Sequence, residues 1–136
     1  MIASRESDLR KKVAKLLVIR ASGNCLDSQR NYPSYELGNR DLKRLLGEGV
    51  GGVILYGGSI IELQRRTRLL QEWAISPLLL CADVEEGVGQ RFPGGSFLVP
   101  PLALGKLFQK DPALAIDFDQ RYGRCIGDQA SRCGLN

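Results

Sequence analysis

Apolar residues gather in three compact runs along the chain: Leu16-Leu17-Val18-Ile19, Gly52-Val53-Ile54-Leu55-Tyr56 and Leu78-Leu79-Leu80-Cys81-Ala82. None of them alternates apolar with polar, which predicts strands covered on both faces of a parallel sheet. Ser22-Gly23-Asn24 ends the first run, Gly57-Gly58 ends the second, and Pro77 marks the start of the third. Helical patterning fills the intervals. Ser7 to Lys15 enters as a short basic helix, and Asn39 is placed to cap a helix over Arg40 to Leu46 that Gly47 and Gly49 close. Ser59 caps a longer helix from Ile60 to about Ala74. Its stripe of Ile60, Leu63, Leu70, Trp73 and Ala74 faces inward, and Arg65, Arg66 and Arg68 cover the rest. Cys25 to Gly38 and Asp83 to about Pro101 read as irregular, Gly- and Pro-bearing loops. A final helix runs from Pro112 to about Cys133.

The resulting order is strand, helix, strand, helix, strand, helix, an α/β arrangement with parallel strands. A helix has just ended at Gly134-Leu135-Asn136, where a fourth strand is expected. Three parallel strands alone leave two unpaired edges, so the pattern predicts an interrupted fold open to self-association through those edges.

Composition narrows the class. With 136 residues, 43% of them hydrophobic and 25% charged, the chain fits one soluble globular domain or part of a larger one. No apolar run nears the ~20 residues of a membrane span, and the charged start MIASRESDLRKKVAK is unlike a secretory signal. The net charge of +4 is scattered beside acids, which reads as solvated surface and not as a nucleic-acid patch. There is no histidine, so His bases, His metal ligands and a Ser-His-Asp triad are excluded from this chain. Cys25, Cys81, Cys125 and Cys133 form no C-x-x-C pair; free thiols in a reducing cytoplasm, with no metal site, are the expectation.

Gly47-Glu48-Gly49-Val50-Gly51-Gly52 matches G-x-G-x-x-G letter for letter. A dinucleotide fingerprint must follow a strand and open a helix, whereas these glycines end a helix and lead into a strand. Helix capping and a tight turn account for them better.

The candidate chemistry begins where the third strand ends, in Cys81-Ala82-Asp83-Val84-Glu85-Glu86-Gly87-Val88-Gly89-Gln90-Arg91-Phe92-Pro93-Gly94-Gly95. Polar residues at the C-terminal ends of parallel strands form the ligand sites of α/β folds. Asp83 and Glu85 project to the same side if the strand continues, and Arg91 offers a planar donor fork to oxygen ligands. The residues alone leave a ligand site and a plain Asp83–Arg91 ion pair equally open. Two acids on one strand do not straddle a scissile glycosidic bond, so they are not assigned as a catalytic pair.

GVGGVILYGG, PLLLCADVEEGVGQRFPGG, PPLALGKL and RYGRCIG together resemble the N-terminal part of the family-3 glycoside hydrolases, nearest to their β-N-acetylhexosaminidase and β-glucosidase branches. The resemblance covers residues 16 to 136 and is most specific from Gly49 to Leu104. It implies the first three β/α units of a (β/α)8 TIM barrel, incomplete here, behind an N-terminal helical extension over residues 1–15. It further implies exo-acting, retaining hydrolysis of a terminal β-linked N-acetylhexosamine or glucose, without metal or cofactor, in the cytoplasm. Asp83 matches the family acid that holds sugar hydroxyls, Arg91 the arginine that reaches the same sugar, and Glu85 the glutamate of the Asp-x-Glu-Gly-Gly motif. Glu86 stands where the motif has its first glycine. The family's Lys-His pair, histidine loop and nucleophilic Asp come from later strands, so the resemblance places the catalytic residues beyond Asn136. The alternative is a non-catalytic carbohydrate-binding or interaction fragment.

Overall fold

The computed structural model describes residues 2–136, with side chains from residue 8 onward. Helix α1 (Ile2–Ala14) leads into strand β1 (Val18–Ser22), and α2 (Asn39–Gly47) into β2 (Gly52–Tyr56). Helix α3 (Ile60–Trp73) and β3 (Leu79–Cys81) follow, then α4 (Pro101–Lys110) and α5 (Pro112–Arg132). The strands form one parallel sheet in the order β1-β2-β3, with Val18 opposite Gly52, Gly52 opposite Leu79 and Ile54 opposite Cys81. The α/β class and the parallel strands are as the sequence predicts.

The strand boundaries shift for local reasons. Leu16 and Leu17 complete the turn that closes α1, donating to the carbonyls of Val13 and Ala14 at 3.0 and 3.1 Å. Pairing therefore starts at Val18 and carries the polar Arg20 and Ser22 into the sheet. Ser59 caps α3 as expected, its hydroxyl accepting from the Glu62 amide at 3.3 Å.

Asn39 does not cap α2. It lies inside the first turn and points inward, its amide group donating to the Cys25 carbonyl at 2.9 Å. The helix start is satisfied instead by Asp27, whose carboxylate takes the Asn39 backbone amide at 3.0 and 3.2 Å from a loop twelve residues upstream. Helix α4 falls on residues to which the apolar pattern assigns no element. None of its residues is fully buried, so no inward stripe marks it, although Pro101 sits at its first turn.

One face of the sheet carries the core. Ala21, Val53, Leu55 and Leu80 are buried against Leu42 and Leu46 of α2, Leu63 and Leu70 of α3, and Cys133 and Leu135 after α5. At 25 cal/mol per Å² this burial is the main favourable term in the fold. The other face is open, contrary to the expectation of cover on both sides: Val18 and Leu79 are 47% and 48% exposed. Ile54, Tyr56 and Cys81 lie half-buried between them. The edges, by contrast, are partly filled. Leu37 bridges to β1, donating to the Arg20 carbonyl at 3.3 Å. Asn136 clasps β3: its backbone amide donates to the Leu80 carbonyl at 3.0 Å, and its side chain accepts from the Leu80 amide at 2.9 Å and donates to the Leu78 carbonyl at 3.0 Å.

Candidate functional site

The open face and the C-terminal strand ends meet at one polar cluster. Side chains alternate along a strand, so Arg20 of β1 and Ile54 and Tyr56 of β2 share the uncovered face. Ile54 pairs with Cys81, and continuing that register brings Tyr56 level with Asp83, just beyond the end of β3. The side chains meet there: the Tyr56 hydroxyl donates to Asp83 Oδ2 at 2.8 Å. The hydrogen bond to Asp83, followed by burial and the Asp83 charge, raises the Tyr56 pKa against the opposing pull of Arg20 and Arg91. The same carboxylate, after burial, helps to push the Cys81 thiol up.

Arg20 lies over the Tyr56 ring, 4.2 Å from its centroid, with the rings of Tyr32 and Tyr35 at 5.3 and 5.9 Å. Its Nε is buried without a hydrogen-bond partner among the described residues. Gly23, Gly57 and Gly58 close the tops of β1 and β2 backbone against backbone. A Cβ on Gly23 would strike the Gly57 carbonyl, and Gly57 and Gly58 have φ of +71° and +82°.

The 83–100 loop is anchored from below and from the side. Val88 and Phe92 insert fully into the core. The Pro93 carbonyl accepts from the Ile60 amide at 2.9 Å, and the Glu86 carbonyl from the Leu98 amide at 2.7 Å. The Tyr122 hydroxyl of α5 lies 2.7 Å from the Glu85 carbonyl oxygen and 2.9 Å from that of Val99, sharing its single proton between them.

Within this frame Asp83 and Arg91 come together, but not as an ion pair. Arg91 Nε donates to the backbone carbonyl of Asp83 at 3.2 Å, which leaves the carboxylate to Tyr56. Glu85 is not on the Asp83 side of a continued strand, because β3 ends at Cys81 and Glu85 and Glu86 form a turn. Its carboxylate is exposed and accepts from Gln90 at 3.3 Å, while Gln90 Oε1 accepts from the Glu86 amide at 3.1 Å. Glu86 is half-buried in that turn, and its charge contributes, after burial, to a raised Tyr122 pKa.

Sequence reasoning missed Tyr56, Arg20, Tyr32 and Tyr35. The signal for Tyr56 was present, since it stands at the C-terminal end of a parallel strand and on the same face as Ile54. Arg20 carried no such signal while the strand was placed before it.

Chemically the cluster offers a hydrogen-bond acceptor beside aromatic faces. A carboxylate with Oδ2 fixed and Oδ1 without a partner among the described residues can accept hydroxyl protons, and the tyrosine rings offer apolar faces. No group of three or more potential metal ligands occurs among the described residues, and no helix there is long and apolar enough to cross a membrane. All four cysteines are free. A separate groove of about 340 Å³ opens between α4 and α5, lined by Pro101, Leu104, Phe108, Ala115, Ile116 and Asp119. It contains none of the strand-end residues.

Comparison with known proteins gives three consistent likenesses. A beta-hexosaminidase of Bordetella pertussis is 32% identical over 99 residues, 69% of this chain and 28% of that protein. A beta-hexosaminidase of Neisseria meningitidis serogroup C is 31% identical over 108 residues, 76% of this chain and 30% of that protein. Among solved structures, NagZ from Neisseria gonorrhoeae in complex with N-trifluoroacetyl-D-glucosamine superposes with a TM-score of 0.65 at 25% identity. That match covers 86% of this chain and 34% of the NagZ chain. No protein-family model matches the chain.

Proposed function

Because this chain is a relative of the bacterial beta-hexosaminidases that spans about 30% of their length, we propose that it forms one wall of the sugar site of a family-3 glycoside hydrolase. The parallel sheet with its uncovered face supports reading residues 16–136 as part of a (β/α)8 barrel, after an N-terminal extension over residues 1–15 that carries α1. The site faces what would be the barrel mouth. In the complete enzyme the reaction is exo-acting removal of a terminal β-linked N-acetylhexosamine or glucose with retention, through a carboxylate nucleophile and a separate acid/base. Both roles are assigned to residues other than those of this site: Asp83 is a sugar-holding acid with Arg91 beside it, and Glu85 would reach a sugar only from the neighbouring turn.

The observation that carries this reading is the Asp83 carboxylate at the end of β3, held through Oδ2 and open through Oδ1. A pair of vicinal sugar hydroxyls fits such an acceptor. Titration with N-acetylglucosamine by ligand-observed NMR tests it. The 136-residue chain is expected to bind, and Asp83→Asn to weaken binding by about tenfold or more, the worth of one charge-assisted hydrogen bond. An unchanged affinity in Asp83→Asn overturns the assignment. With 4-nitrophenyl N-acetyl-β-D-glucosaminide the chain is expected to release no nitrophenol. Turnover that Asp83→Ala abolishes would sink the claim that the chemistry lies elsewhere.

The uncovered face also supports self-association. With both outer strands partly occupied, Val18, Ile54 and Leu79 are the surface that a second copy would cover, in place of the edges. Sedimentation velocity is expected to show a mass rising with concentration, and Leu79→Lys to hold the chain monomeric. A concentration-independent monomer in the parent chain rules this out.

A further inference from the structure

Asp83 stands one residue past Ala82 in a segment with no ladder partner, since β3 pairs only over Leu79–Cys81. Its backbone is steadied by Arg91 at the carbonyl, and its side chain has a single tether among the described residues, the Tyr56 hydroxyl at 2.8 Å. Tyr56 is itself held. It is the last residue of β2 in register with Ser22, and its ring lies under the Arg20 guanidinium at 4.2 Å. The line therefore runs across all three strands, from a cation on β1 through a ring on β2 to a carboxylate beyond β3.

The phenol contributes little to the core. It lies on the open face, opposite the buried Val53 and Leu55, and it is only half-buried. Its hydroxyl does work at one place, the carboxylate of Asp83. A carboxylate rotates freely about its last bond unless an oxygen is fixed, and fixing Oδ2 aims the other oxygen in one direction before a ligand arrives.

We infer that Tyr56 is a positioning residue for Asp83: its hydroxyl, braced by the stacked Arg20, orients the carboxylate toward sugar hydroxyls. The inference rests on the sugar-binding reading of Asp83. Removing the hydroxyl leaves the carboxylate in place but unaimed, so affinity falls without loss of fold.

The test uses the whole chain with N-acetylglucosamine as probe, comparing the parent with Tyr56→Phe and Asp83→Asn. Tyrosine labelled with 13C at Cζ provides a second, ligand-free readout of the pair. Tyr56→Phe is expected to weaken binding by about five- to tenfold with an unchanged amide spectrum outside the strand ends. In the parent, the Tyr56 signal is expected to titrate above the ordinary tyrosine value of about 10. Asp83→Asn should bring that midpoint down and leave Tyr122, on α5, where it was. A Tyr56→Phe chain that binds as the parent does, while Asp83→Asn loses binding, overturns the positioning role and spares the sugar site. A Tyr56 midpoint that ignores Asp83→Asn also overturns it, since the two groups are then not paired in solution. If Asp83→Asn binds as tightly as the parent, the sugar-site reading falls and takes this inference with it.

Discussion

Arg66 shows how far one side chain can stand from its sequence pattern. It sits among arginines on a helix whose outer face is charged, yet it is 1% exposed. Its Nε donates to the Ser22 carbonyl at 3.0 Å and its Nη1 to Asn39 Oδ1 at 2.8 Å, tying α3 to the end of β1 and to α2. Trp73 lies against it, 5.6 Å away, and burial lowers its pKa from the usual guanidinium value. Arg66→Met keeps the bulk but strands a buried carbonyl and the Asn39 side chain, and is expected to cost about 2–4 kcal/mol. A lowered urea midpoint with an unchanged slope would report it. A shift near zero would show that Ser22 and Asn39 find other partners. Asn39 belongs to the same lesson, because an asparagine before a helix signals a cap only when its side chain faces the helix end. Here Arg66 and the Cys25 carbonyl claim it, and Asp27 caps in its place.

At the level of elements, what was legible followed from short-range physics. Apolar runs bounded by glycine and proline located β2 closely and β3 to within a residue at each end. Ser59 and Asp111 marked α3 and α5, each accepting a backbone amide in the first turn, from Glu62 at 3.3 Å and from Leu114 at 3.0 Å. Helix α4 was illegible because it packs mainly on α5 and fully buries no residue. Of the site, the segment from Asp83 to Arg91 was legible as strand-end chemistry, and Asp83 and Arg91 do meet. Their partner was not. Tyr56 is 27 residues away from Asp83, and only the register of a parallel ladder joins them. The Glu85 expectation depended on a strand continuing past Cys81. A turn held by Gln90 and Tyr122 replaced it.

For the whole molecule, the uncovered sheet face has a calorimetric consequence. A compact monomer of 15.0 kDa exposes about 7,000 Å², whereas this chain exposes 8789 Å². The surplus includes Val18 and Leu79 on the open face and Leu102, Phe108 and Ile116 on the α4–α5 hairpin. Apolar surface already wet in the folded state releases no heat-capacity increment when the chain unfolds. At concentrations where the chain is monomeric, scanning calorimetry is therefore expected to give an unfolding heat capacity roughly an eighth below the usual 12–15 cal/mol/K per residue. A full-sized increment would mean that the face is dry in the folded molecule. The reduced increment also flattens the stability curve, so a chain with one sheet face incompletely covered loses less of its stability on cooling than a closed domain of equal length.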